Sequence, residues 1–262
     1  MPLPDASAGT SIEVGAGWVE LDELHRRLAP ARCRLVGRDA VQALIDPDAD
    51  PALVHGFMVQ FAALSVQLQE PAEQFLVAAS QRCEELGERG LARALLRLAA
   101  DAIDHYRLFA DDARVLALQW NARQQPELDL TGLLIQPNTP AMRRIFALHG
   151  QMILGDEPWT ELALVCEIEA LIAAVAPLLV LHAERCLGSG IRAGMRSVVG
   201  LAIAGDRGRA RATMAMLLAD HPGRLPAIVR ASERMLDHYG EFLDDCMVAA
   251  VNLAQWRALA HG

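Results

Sequence analysis

The sequence predicts an all-α fold, a helical bundle, and three observations lead there. The chain is 53% hydrophobic but only 5% aromatic, so its core must be built from Ala, Leu and Val. Such side chains suit close helix packing better than sheets, which favour β-branched and aromatic residues. Apolar residues recur at helical spacing, no stretch alternates with a period of two, and Gly and Pro fall where helices would end.

Taken in order, residues 1–50 read as an N-terminal extension with a short helix around Val19 to Leu28. It leaves through the Pro- and Asp-rich stretch from Asp46 to Pro51. Residues 51–262 then form a single helical bundle domain. Its first helical stretch, Ala52 to Leu86, is broken near Glu70-Pro71 and closed by Gly87 and Gly90. A second long helix is expected from Leu91 to Gln124, followed by a polar connection holding Pro126, Pro137 and Pro140. A short helix covers Ala141 to Leu154, and Pro158 suits the start of the next. That third long helix, Trp159 to Leu187, should bend at Pro177 and end at Gly188 and Gly190. An amphipathic segment to Ala219 and a last long helix from Leu225 to Ala260 complete the chain.

Composition excludes several classes. A net charge of −9 argues against a general nucleic-acid binder, which needs a basic face. All 24 basic residues are arginine, which points to codon bias rather than to a physical demand. The five cysteines stand far apart with no Cys-x-x-Cys pair, so neither a zinc knuckle nor a redox dithiol is expected. Their odd number, and the lack of a basic-then-apolar leader in Met1 to Ser11, fit a cytoplasmic protein. The most apolar run, Ala170 to Leu181, is too short to span a bilayer and reads as a buried core helix. No membrane association is expected, and a homodimer is compatible with the sequence.

The most informative feature is a repeat. Residues 97–115 align with 230–248 at a shift of 133, and eight of the 19 positions are identical. Ordinary residue frequencies would give about one or two matches. The matches include Asp104-His105-Tyr106 against Asp237-His238-Tyr239, and Phe109, Asp111 and Asp112 against Phe242, Asp244 and Asp245. The bundle therefore carries an internal two-helix pseudo-repeat.

Residues four and seven apart share a helix face, which puts Asp101, His105 and Asp112 on one stripe. Carboxylate oxygens and imidazole nitrogens are the donors that suit iron and manganese in helical bundles. A dinuclear carboxylate site takes one acid from each of two helices and an acid-His pair from each of two others. Here His105 and His238 mark the pair helices. Glu70 or Glu73, and Glu167 or Glu169, could supply the single acids; Glu169 enters the most apolar run. The competing structural reading makes the Asp-Asp pairs solvated surface groups, Tyr106 and Phe109 packing residues, and Glu70 and Glu73 solvent-facing.

The stretches FMVQFAALSVQLQEPAEQFLVAASQRCEELG and LLRLAADAIDHYRLFADDARVLAL resemble the iron-containing redox enzymes of the heme-oxygenase-like fold. That group includes non-heme diiron oxidases and oxygenases. GDEPWTELALVCEIEAL is similar to the family's third-helix entry. The resemblance implies a heme-oxygenase-like or ferritin-like bundle, with metal ligands at Asp101, His105, Glu169, Glu233, Asp237 and His238. It also implies a diiron or manganese cofactor and an O₂-dependent oxidation of a small-molecule substrate. The last helix departs from the family: Glu233 and Gly240 stand where histidines would flank Asp237. The alternative is a non-catalytic binding or scaffold protein with a degenerate site. A third reading is heme, because His25 in LDELHRRL resembles the proximal histidine of heme oxygenase.

Overall fold

A computed structural model describes residues 10–200 and 209–261, and all regular structure among them is helical. The helices are α1 (Thr10–Val36), α2 (Asp39–Ile45), α3 (Pro51–Gln69), α4 (Ala72–Glu85), α5 (Arg89–Ala102) and α6 (His105–Asn121). They continue with α7 (Leu130–Leu134), α8 (Pro140–Leu154), α9 (Glu161–Leu187), α10 (described over 196–200), α11 (Arg209–Asp220) and α12 (Leu225–His261).

Local chemistry explains the boundaries. Asp50 accepts a hydrogen bond from the Ala52 N–H at 2.9 Å, and Pro51 takes the first helical position of α3, where no donor is needed. Thr139 caps α8 in the same way, with Pro140 behind it. Gly87 (φ 83°) follows α4 and Gly188 (φ 86°) follows α9, both in the left-handed region that glycine enters without a Cβ penalty. α9 runs through Pro177 as one helix.

α3 is the axis of the molecule. Every residue from Val54 to Ser65 is buried, as expected of a helix that is apolar on all sides. α6 packs on it and α12 packs on it, so the two copies of the repeat flank one central helix. Phe61 of α3 meets Phe109 of α6 at 6.2 Å and Phe242 of α12 at 6.0 Å between ring centroids. Matched phenylalanines in the repeat thus close on the same ring, each pair worth about 1 kcal/mol beyond its buried area. α4 and α5 pack against each other, α1 lies on α11 and α12, and α8 packs on α12 and α4. α9 closes the bundle against α11, α12 and α3.

Three features differ from the sequence reading. The N-terminal helix is 27 residues long and packs on α11 and α12, where a short helix was expected. Gly17 makes that packing possible, since a Cβ there would collide with the backbone carbonyl of Ala215. The expected helix from Leu91 to Gln124 is two helices, because the chain turns at Ile103 and at Asp104, which holds φ 63°. Asp tolerates that left-handed conformation better than most residues. The turn lets α5 pair with α4 while α6 pairs with α3.

The Asp-Asp doublets are not both solvated pairs. Asp112 is 1% exposed and accepts from the Arg196 N–H (3.0 Å), the Ser197 N–H (2.7 Å) and the Ser197 hydroxyl (2.5 Å). Burial pushes its pKa up, against those donors, which pull it down. It caps the start of α10. Asp245, its counterpart, accepts from the Ala141 N–H at the start of α8 at 3.2 Å. One duplicated aspartate therefore serves the same purpose twice, supplying acceptors to the free N–H groups of another helix. Asp111 remains exposed beside Arg114, and Asp244 is held by Arg38.

Candidate functional site

Seven helices (α3, α4, α5, α6, α8, α9 and α12) contribute side chains to one cavity of about 140 Å³. Its walls are largely apolar, with Leu76, Leu98, Ile145, Leu164, Ile168 and Met235 among them. The polar groups number few: Asp101 from α5, His105 from α6, His149 from α8, Glu169 from α9 and Tyr239 from α12, with Gln69 at the end of α3. No Arg or Lys is among the described lining residues.

Each side chain is aimed by its local structure. Asp101 is exposed and marks the mouth, whereas Tyr239 is 6% exposed and lies at the inner end. His105 is the first residue of α6, placed there by the turn at Asp104 rather than by a continuous helix. Burial lowers its pKa, with the nearby Asp101 charge opposing, so the ring is neutral at pH 7. Burial among apolar neighbours pushes the Glu169 carboxyl up to about 7, and the charge of Asp101 adds to the shift. His149 lies flat on Phe75, 4.4 Å between ring centroids at 9°. Its Nδ1 meets Glu161 Oε2 at 2.7 Å, which leaves Nε2 as the ring nitrogen outside that pair. Glu161 is 1% exposed and its other oxygen has no hydrogen-bond partner among the described residues. The His149–Glu161 pair orients the imidazole as carboxylate–histidine pairs do elsewhere.

The six residues expected to hold metal are divided by this geometry. Asp101, His105 and Glu169 line the cavity together. Asp237 and His238 belong to α12 but turn outward. Asp237 is half exposed and sits 3.5 Å from Arg34. His238 Nδ1 lies 3.2 Å from Glu241, which also accepts from Arg144 at 2.7 Å. Glu233 is half-buried on α12 and is not among the cavity's lining residues. Among the described residues, no three His, Cys, Asp or Glu side chains converge closely enough to hold one metal ion. As placed here, the residues do not fit a dinuclear iron or manganese centre.

The duplicated His-Tyr pair explains the division. In α12 the triplet stays helical, and adjacent residues point about 100° apart. Tyr239 faces the cavity and His238 faces away. In the first copy the turn at Asp104 reorients the backbone, so His105 faces in and Tyr106 lies against Arg107. The cavity thus takes an imidazole from one copy and a phenol from the other.

The other expected acids are accounted for. Glu70 and Glu73 are exposed. Glu167 is buried and held by Arg32 through bonds of 2.8–3.0 Å. His25 lines a separate cavity of about 600 Å³ between α1, α9 and α11, with Arg211 and Glu167, and Glu169 borders that cavity too. Burial lowers the His25 pKa. The residues not anticipated are His149, Glu161 and Tyr239. A signal for His149 was present: it lies four residues after Ile145 and three before Met152, on the apolar face of α8.

No family model matches the chain, and no curated protein matches it. Among solved structures, the chain is similar to a domain of unknown function with a heme oxygenase-like fold from Shewanella denitrificans OS217. The two share 14% sequence identity at a TM-score of 0.66, over 86% of this chain and 91% of that one. At that identity the likeness carries architecture only, and the architecture of this protein is the heme-oxygenase-like helical bundle.

Proposed function

We propose that the protein is an enzyme that binds a small, largely apolar molecule in the seven-helix cavity and moves a proton on it. One observation carries this reading: four titratable side chains, from four different helices, line a single apolar cavity that opens at Asp101. Packing alone gives no reason to bring Asp101, His105, His149 and Glu169 together, and each costs stability where it is desolvated. His105 and Glu169, whose acidity burial perturbs, are the kind of cavity group found at reaction sites. The pKa of Glu169 near 7 suits a group that must both take and return a proton at neutral pH. His149, oriented by Glu161, supplies a second ring nitrogen for the same purpose.

Incubation with a library of small metabolites in D₂O tests this, read by mass spectrometry. The protein should catalyse deuterium incorporation into at least one compound, and Glu169→Gln and His149→Gln should each suppress it. Incorporation that both variants perform equally well would refute the assignment.

The grouping of Asp101, His105 and Glu169 within a heme-oxygenase-like bundle favours one second reading, a non-heme iron O₂-dependent oxidase. It requires these three side chains, or His149 with them, to close around an ion. Protein produced with iron should then contain about one metal ion per chain, lost in His105→Ala. Metal-free protein whose melting temperature ignores Fe(II) and Mn(II) would rule it out.

A further inference from the structure

The cavity lined by His25 is a second candidate site. Among the described residues it shares Glu169 alone with the proposed reaction cavity. Its volume of about 600 Å³ lies within the roughly 300–1,000 Å³ of small-molecule pockets. α1 supplies Trp18, Leu21, Leu24 and His25, at spacings of three, four and seven that put them on one helix face. α9 supplies Cys166, Ala170, Ala173 and Ala174 by the same spacing, and α11 supplies Arg211.

One cation in this lining lacks a counter-charge. Arg211 meets no carboxylate among the described residues; its guanidinium lies over the Trp18 ring, 5.4 Å from the centroid. Its charge also acts on the His25 ring of α1 and on the Cys166 thiol of α9, so groups on both walls lie within its reach. Burial lowers the His25 pKa, as do the charges of Arg32 and Arg211, and the ring is neutral at pH 7. Neither of its nitrogens has a hydrogen-bond partner among the described residues, which leaves one N–H to donate. The two acids of the lining oppose an anion only weakly. Glu167 is committed to Arg32 through bonds of 2.8–3.0 Å, and burial pushes Glu169 up to about 7.

The apolar walls set the body of the ligand. Ala170, Ala173 and Ala174 end at Cβ, so α9 presents a shallow surface to the cavity, and Ala170 and Ala174 are exposed on it. A rigid ring covers such a surface without freezing torsions, whereas an alkyl chain must give up rotor freedom. Trp18, 39% exposed, offers an aromatic partner.

We propose that this cavity binds an aromatic carboxylate, its carboxylate on Arg211 and the His25 N–H, its rings against the α9 alanines and the Trp18 indole. A neutral amide of the same shape leaves Arg211 unpaired, and an aromatic cation meets it with like charge.

Calorimetric titration of the full chain at pH 6 with 2-naphthoate, 2-naphthamide and octanoate tests the assignment. 2-Naphthoate should bind one per chain, at least about tenfold more tightly than either of the others, a difference of about 1.4 kcal/mol. Arg211→Gln, at an exposed position, should bring 2-naphthoate down to the affinity of 2-naphthamide and leave 2-naphthamide unchanged. Ala170→Leu, or Ala174→Leu should that variant fold poorly, should weaken both naphthalene ligands by filling the wall. His149→Gln, which removes a group of the other cavity, should leave 2-naphthoate binding as it is. Equal binding of 2-naphthoate and 2-naphthamide overturns the carboxylate, and octanoate binding as tightly as 2-naphthoate overturns the aromatic body. Binding that survives both alanine variants, or that falls in His149→Gln, places the ligand elsewhere and overturns the site. Absence of binding by all three overturns it too, without touching the exchange reaction of the other cavity.

Discussion

Removing the charge of Glu169 should make the folded protein more stable at alkaline pH, and by an amount the structure fixes. In the unfolded chain the carboxyl ionises near the ordinary value of 4.5, and in the folded chain near 7. Between those values the folded state holds a proton that the unfolded state has released, so stability falls as pH rises through the window and is level above it. Each pH unit of separation corresponds to about 1.4 kcal/mol, which sets an upper limit of about 3 kcal/mol. Glu169 is only partly buried and the cavity opens at Asp101, so solvent screening brings the expected cost down to about 1–2 kcal/mol. Glu169→Gln keeps the shape and removes the ionisation. Its stability should equal that of the parent at pH 4.5 and exceed it at pH 8, raising the melting temperature by roughly 2–6 °C. Urea denaturation at half-unit steps from pH 4.5 to 8.5 reads the two slopes. A variant whose stability follows pH as steeply as the parent's would show that Glu169 is an ordinary solvated acid, and the cavity would lose its most perturbed group.

Three further outcomes are expected from the packing. His149→Ala should strand the buried Glu161 carboxylate and cost about 3 kcal/mol. The double variant with Glu161→Gln should recover much of that loss in a double-mutant cycle. Asp112→Ala should cost about 2 kcal/mol and speed amide exchange at Arg196 and Ser197, whereas Asp245→Ala, with one 3.2 Å bond to lose, should cost about 0.5 kcal/mol. Gly17→Ala should destabilise by about 1–3 kcal/mol despite the better helix propensity of alanine, because its Cβ would press on the Ala215 carbonyl. Ala215→Gly should not rescue it, since the obstacle is backbone; a thermal melt of the single and double variants decides.

Much of the fold was legible in the sequence because it depends on local chemistry. Pro51, Pro140 and Pro158 stand where helices begin, Gly87 and Gly188 where they end, and Pro71 where α3 gives way to α4. The site was legible in part. Asp101, His105 and Glu169 were marked by their residue types in an apolar setting, and they do share a cavity. The reason for their meeting was not legible, since His105 owes its direction to a left-handed residue at Asp104 that no periodicity reveals. His238 was misleading for the complementary reason. Its residue identity matched His105, but its unbroken helix turned it toward Glu241. The use of Asp112 and Asp245 as helix caps depends on partners 84 and 104 residues away in sequence, beyond any local pattern.

The turn at Asp104 also separates residue identity from chemistry. Two stretches that spell the same tripeptide deliver different functional groups to the interior, because one peptide unit rotates and its counterpart does not. Were the first copy straightened to match the second, a phenol would replace the imidazole in the cavity lining. The choice of side chain presented to the cavity is therefore written as much in one dihedral angle as in its letters.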